Sequence, residues 1–472
     1  MTPSPPSPRP KIPWAALCGA MVAAAALLAA APASAVEVEF DGWYRARMRA
    51  YDTLSLDRAR ADSEGLSWYA QHRLWLKPKF LITDDVSAFV EIRALDGVVW
   101  GDQPFTYTNP VQGLLSYDER AVTAPTSTTD PTDALRDITL WRAWGEAQTP
   151  IGTFSFGRMP LQWGQGIWLN DGLCDTCDWG DTSDRIRWEY LVQDQIWVSA
   201  AANVNTEGFV NETDDTTAFD LSFAYRTEQF ESGLWATWTR TPSDSFDLVT
   251  LDAAVSAELG RISAGAEVVG QFGGGDLGDD VSDVSIMTVG AVLHAGLDAS
   301  PWKLEVEGGY ASGDGDVNDS RLRVHTFDRD HSVGIILFEQ PMPILAEGTP
   351  NDANGGRNTD FALTGEAVSN ALYAKPTFGR EIYGGLSLEQ SILGARVAKV
   401  PDSFGSRRSY GLEFDTSVVY RGVEHFEAGA TFGAFLPGTY YRDYQSPDGA
   451  LGVEDNFDDP VFAGQLQLKV EF

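Results

Sequence analysis

The sequence predicts an all-β protein: a closed antiparallel transmembrane β-barrel of about eighteen strands, with about sixteen as the other even count. Three observations predict it. Apolar and polar residues take turns with a period of two along most of the chain. Tight breaks between these runs alternate with long polar ones, and the chain ends in an aromatic, Phe472, that completes such an alternation.

The first segment is different. Arg9 and Lys11 precede an apolar run from Ala15 to Ala31, and Pro32-Ala33-Ser34-Ala35 follows it. This is the pattern of a secretory signal cut after Ala35, which assigns 1–35 to the leader and 36–472 to the barrel. Cys18 follows Leu17, where lipid attachment would want a small residue. No later apolar stretch is long enough for a spanning helix, because charges interrupt each one within a few positions. The chain holds 34 Lys and Arg against 68 Asp and Glu, a formal net charge of −34, which excludes nucleic acid as a partner. Its 46 Gly, 15 Trp, 15 Tyr and 24 Phe also exclude a disordered acidic tail.

The first strand reads V-E-V-E-F-D-G-W-Y-R-A-R-M-R-A. Val36, Val38, Phe40, Tyr44, Ala46 and Met48 share one face, and Glu37, Glu39, Asp41, Arg45, Arg47 and Arg49 share the other. A helix would scatter the three arginines round its axis. Farther on, Ile186, Trp188 and Tyr190 oppose Arg185, Arg187 and Glu189; Phe219, Leu221, Phe223 and Tyr225 oppose Asp220, Ser222 and Arg226. Trp302, Leu304 and Val306 oppose Lys303, Glu305 and Glu307, while Tyr410, Leu412, Phe414 and Val418 oppose Glu413 and Asp415. Tight breaks fall at 83–85, 149–151, 192–194, 228–230, 259–260, 299–300, 390–392 and 422. Between them lie polar connections, most of them long, among them 101–135, 160–184 and 312–370; the last could hide a hairpin at Ser332 to Phe338. Short turns at one end and long loops at the other suit an outer-membrane barrel. The last strand sets Phe462, Gly464, Leu466, Leu468, Val470 and Phe472 against Gln465, Gln467, Lys469 and Glu471; Leu468, Val470 and Phe472 form the expected insertion signal for the barrel-assembly machinery.

Two segments resemble the alginate-export-type family of outer-membrane barrels: F-G-R-M-P-L-Q-W-G-Q-G-I-W-L-N-D at Phe156 to Asp171 and E-G-G-Y-A-S-G-D-G-D-V-N-D at Glu307 to Asp319, with Phe327 and His331 following. The resemblance implies an eighteen-strand pore for polysaccharide or small solutes. Where the family has Arg after the glycine pair, this chain has Ile167 and Trp168.

A basic wall is the strongest functional constellation: Arg45, Arg47, Arg49, Arg73, Lys77, Arg93, Arg142, Arg158, Arg185 and Arg187. Guanidiniums facing a narrow aqueous passage attract anions, and the alternative is that they pair with Glu91, Glu189 and other acids as lumen-filling salt bridges. The expected function is a porin-like outer-membrane channel for small, anionic solutes, with loops 160–184 and 312–370 folded toward the lumen. Lipid and lipopolysaccharide are its expected surroundings. Polysaccharide export is the alternative, and a plugged structural or adhesive barrel is the second. Cys174 and Cys177, in an oxidising compartment, are expected to form a local disulfide. Asp314, Asp316 and Asp319 lack the glycine and glutamate of a calcium loop, so plain solvation competes with loose divalent binding. His325 and His331 with Asp328 and Asp330 are the raw material for a hydrolase alternative, but nothing in their spacing makes them converge, and neither enzyme activity nor a cofactor is expected.

Overall fold

A strand that shows apolar groups to lipid has no water to satisfy its backbone, so each must find neighbours on both sides. The structure, a computed structural model, describes residues 36–54, 56, 65–101, 138–206, 216–276, 283–315, 319–340, 367–400, 408–442 and 457–472. The leader expected at 1–35 and most of the 101–135 loop lie outside them. The strands in chain order are β1 (Glu37–Asp52), β2 (Leu66–Thr83), β3 (Val86–Gly101), β4 (Ile138–Thr149), β5 (Gly152–Pro160), β6 (Thr182–Val192), β7 (Ile196–Thr206), β8 (Thr216–Arg226), β9 (Phe230–Thr241) and β10 (Phe246–Leu259). There follow β11 (Ile262–Gly275), β12 (Val284–Ala299), β13 (Trp302–Ala311), β14 (Arg321–Leu322), β15 (Ala371–Tyr383), β16 (Leu386–Val397), β17 (Ser409–Val423), β18 (Phe426–Pro437) and β19 (Val461–Glu471), with a single helical turn, α1 (Thr439–Arg442), before the last.

Each strand pairs antiparallel with the next, except that β13 pairs directly with β15 and the two-residue β14 lies parallel to β12. Pairing of β1 with β19, from Trp43↔Glu471 to Asp52↔Phe462, closes the sheet into a barrel of eighteen strands. Phe472 and Gly42 exchange backbone hydrogen bonds of 3.0 Å at the start of this seam. Closure removes the unpaired edges that would otherwise recruit another strand.

Register separates the two faces. Arg45, Arg47 and Arg49 stand opposite Lys469, Gln467 and Gln465, pointing inward, while Ala46 and Met48 stand opposite Leu468 and Leu466, pointing outward. Along neighbouring strands Leu221, Leu234, Leu251, Val268 and Met287 form an exposed apolar belt. Trp302 packs with Phe378, and Phe40 with Phe472, toward the end with the tight turns. Such a belt with aromatic margins is the surface a bilayer accepts. No helix among the described residues is long and apolar enough to cross a membrane.

Three local expectations are corrected. The break expected at 390–392 lies within β16, where Ser391 is buried on the inward face. The chain turns instead at Gly384 and Gly385, whose φ of 59° and 82° are left-handed conformations that glycine adopts without strain. Tyr410 leaves the outward phase of β17: the pairing with β16 shifts between Ala395 and Arg396, Gly411 takes φ 135°, and the phenol turns inward. Ser332 to Phe338 is a turn, not a hairpin, and it buries Ile336, Leu337 and Phe338.

Candidate functional site

The inward face is electrically divided. Arg45, Arg47 and Arg49 of β1, Arg73 and Lys77 of β2, Arg93 of β3, Arg142 of β4, Arg185 and Arg187 of β6 and Lys469 of β19 make a basic arc. Asp220, Asp252, Glu267, Glu307, Glu413 and Asp415, on β8, β10, β11, β13 and β17, make an acidic one. Arg158 does not join the basic arc. It pairs with Asp184 at 2.7 Å, in the phase of the exposed Phe156 and Ile186, because Arg158 and Phe156 are two residues apart on β5 and share its outward side.

The connection between β5 and β6, 161–181, lies against both arcs. Asp178 is its centre: the guanidiniums of Arg45 and Arg47 bond its carboxylate, and those of Arg73 and Arg49 approach to 3.7 and 3.8 Å. Burial pushes this carboxyl up, but Arg47, Arg45, Arg73 and Arg49 together outweigh it and hold Asp178 well below the usual range. Arg45 also donates to the Cys177 carbonyl (3.1 Å), Arg73 to the Asp178 carbonyl (2.8 Å) and Arg93 to the Trp179 carbonyl (3.1 Å). Arg93 is sandwiched between Trp75 and Trp141, 4.3 and 3.8 Å from their ring centres, and Lys77 stands 4.6 Å from the ring centre of Trp75. Arg142, with no exposed surface, donates to Glu91 (3.0 Å), Thr182 (2.9 Å) and the carbonyls of Asp171 and Asp181 (2.8 and 2.9 Å). Arg185 meets Asp220 at 3.0 Å; Arg187 is looser, 3.8 Å from Glu146 and 4.0 Å from Glu189. Cys174 and Cys177 are joined as a disulfide beside Asp178.

On the opposite side, Trp163 donates its indole N–H to Asp252 (3.2 Å), and the Gln165 amide donates to Glu267. Ile167 and Trp168, the pair that departs from the family pattern, are buried; the Ile167 carbonyl accepts from the Asp328 amide at 2.7 Å.

A second segment, 323–340, joins the first. The Asp330 carboxylate accepts from three consecutive amides, Asp178 (2.7 Å), Trp179 (3.1 Å) and Gly180 (2.7 Å), a concave nest of N–H groups. Glu413 of β17 does the same for Ile335, Ile336 and Leu337 at 2.7, 2.9 and 2.7 Å. Glu339 reaches Arg49 at 3.1 Å. The histidines and acids of the hydrolase alternative are drawn apart: His325 faces Thr288 at 3.1 Å, Asp330 faces the nest, and His331 faces Tyr373 (3.3 Å) and Glu307 (3.4 Å). Asp314 and Asp319 both pair with Arg323, at 2.9 and 3.0 Å, which places a cation's charge on a side chain; Asp316 is outside the described residues.

Reasoning from sequence missed the acidic arc as an anchor. Its signal was present, since Glu267 and Glu413 sit in the polar phase of apolar-alternating strands, but their partners are loop amides that no pattern announces.

Comparison with solved structures finds the same architecture. A BenF-like porin from Pseudomonas fluorescens Pf-5 matches with a TM-score of 0.53 at 9% identity, over 92% of this chain and 98% of that one. The likeness shows the fold. OpdQ of Pseudomonas aeruginosa matches at 0.51 and 8% identity (92% and 97% covered). OccK2 (OpdF) of the same organism, in complex with glucuronate, matches at 0.50 and 10% identity (92% and 96%). No family model and no curated protein sequence matches the chain. These neighbours are outer-membrane β-barrel porins, and nothing in the comparison specifically supports the alginate-export type.

Proposed function

We propose that the chain, exported by the leader at 1–35, is a porin-like channel of the outer membrane that passes small solutes and favours anions. The observation that carries this is the Arg45, Arg47, Arg49 and Arg73 cluster, where Asp178 and Glu339 leave an excess of positive charge on the inward face. In a passage narrowed by 161–181 and 323–340, such a field concentrates anions and repels cations. Glucuronate, the anion in complex with OccK2, is the class of solute to try first.

The test is reversal potential in planar bilayers under a potassium chloride gradient. Chloride should carry more current than potassium, and joint replacement of Arg45, Arg47 and Arg49 by Gln should weaken the preference; a cation-selective channel refutes the reading. The two segments that resemble the alginate-export type favour polysaccharide as a second cargo, for they lead into the two loops that clasp each other. Uronate oligomers that interrupt the current where monomers do not would support it.

A further inference from the structure

The occupant of the four-arginine cluster is a carboxylate on a loop, and that loop is itself held by a second carboxylate. Asp178 keeps 19% of its side-chain surface exposed, while Arg45, Arg47, Arg49 and Arg73 behind it keep 4, 1, 9 and 5%. A solute that reaches these guanidiniums therefore meets Asp178 first. The cluster has unused donor capacity: Arg47 Nε is buried with no hydrogen-bond partner among the described residues. Two segments close over it together, because Asp330 grips the amides of 178–180 and Glu339 reaches Arg49.

We infer that this cluster is a binding site for a small carboxylate solute, and that Asp178 is a tethered stand-in which the solute displaces, loosening the 174–178 turn against the basic arc. The inference rests on the anion-channel reading. Exchange of one carboxylate for another leaves the contacts to arginine nearly unchanged, so the outcome turns on concentration. A group held on a short tether competes at an effective concentration in the millimolar range, and the solute must approach that range to win. Asp330 strengthens the tether, because it fixes the amides on either side of the loop's own charge.

The experiment uses the full chain in planar bilayers at fixed potassium chloride, with gluconate as probe and sorbitol, its neutral counterpart, as control. Wild-type current should rise with gluconate in the millimolar range and ignore sorbitol. Asp178→Asn should conduct at the raised level without gluconate and respond no further. Asp330→Ala should shift the half-response to roughly tenfold lower gluconate, about 1.4 kcal/mol. Asp184→Asn, which touches only the outward Arg158 pair, should match wild type. Mobility of the unheated protein on gels reports whether each barrel has folded. The inference is overturned if gluconate and sorbitol act alike on wild type, or if a folded Asp178→Asn keeps the wild-type baseline. Should Asp178→Asn not fold, an unshifted Asp330→Ala overturns it. Anion-selective current indifferent to gluconate refutes this inference alone; no current in any folded variant refutes the channel reading as well.

Discussion

Arg142 and Arg158 have one chemistry and opposite circumstances. Arg142 is fully buried and matched to a carboxylate, a hydroxyl and two carbonyls, so Arg142→Ala strands Glu91 and should cost about 3–5 kcal/mol. Arg158 shares an exposed pair with Asp184, and Arg158→Ala should cost about 0–1 kcal/mol. Urea titration of the detergent-folded barrels ranks them, and equal costs would contradict the burial assigned here. His325 offers a second contrast. Burial pushes its imidazole down to about 3, whereas the unfolded chain takes up a proton near ~6.5. The folded segment is therefore at full stability above ~6.5 and loses stability progressively as pH falls from there toward 3. Amide exchange at Val324 to Phe327, corrected for intrinsic rates, should accelerate in that window, and His325→Gln should flatten the dependence. An unchanged slope in the variant would assign the effect elsewhere.

Strands were legible and anchors were not. Alternation on β1, β6, β8 and β13 states directly which side chains share the apolar face, because a period of two separates the two sides of a strand; loop asymmetry and the number of strands assign that face to lipid. It fails at Tyr410, where a bulge at Gly411 slips the phase, a backbone event with no sequence mark beyond the glycine. Gln390-Ser391 is polar enough to look like a bend, yet Ser391 is polar because it faces inward within β16. At the site, ten basic positions make up the expected wall, most of them in the lumen phase, and nine face inward. Their partners could not be read, since Asp178 lies 133 residues from Arg45 and the nests that hold Asp330 and Glu413 are made of backbone. Periodicity reports a local environment; it carries no address for a distant contact.

The barrel as a whole depends on its outer belt meeting hydrocarbon. Leu251, near the middle of β10, is 49% exposed among Leu234, Val268 and Met287. Leu251→Arg should cost ~2–4 kcal/mol in lipid vesicles, read by denaturant titration from the bilayer, while Leu251→Phe should be nearly neutral. Tolerance of the arginine would mean the face meets water.

The seam between β1 and β19 brings the first and last described strands side by side, so the cylinder is finished only when β19 pairs. Until Phe472 arrives, two raw margins are on offer, each able to take up a stranger's strand. Completion is thus a race between a molecule's own tail and its neighbours, and a chain cut short by a dozen residues would lose that race every time, leaving dimers and tangles where a cylinder should stand.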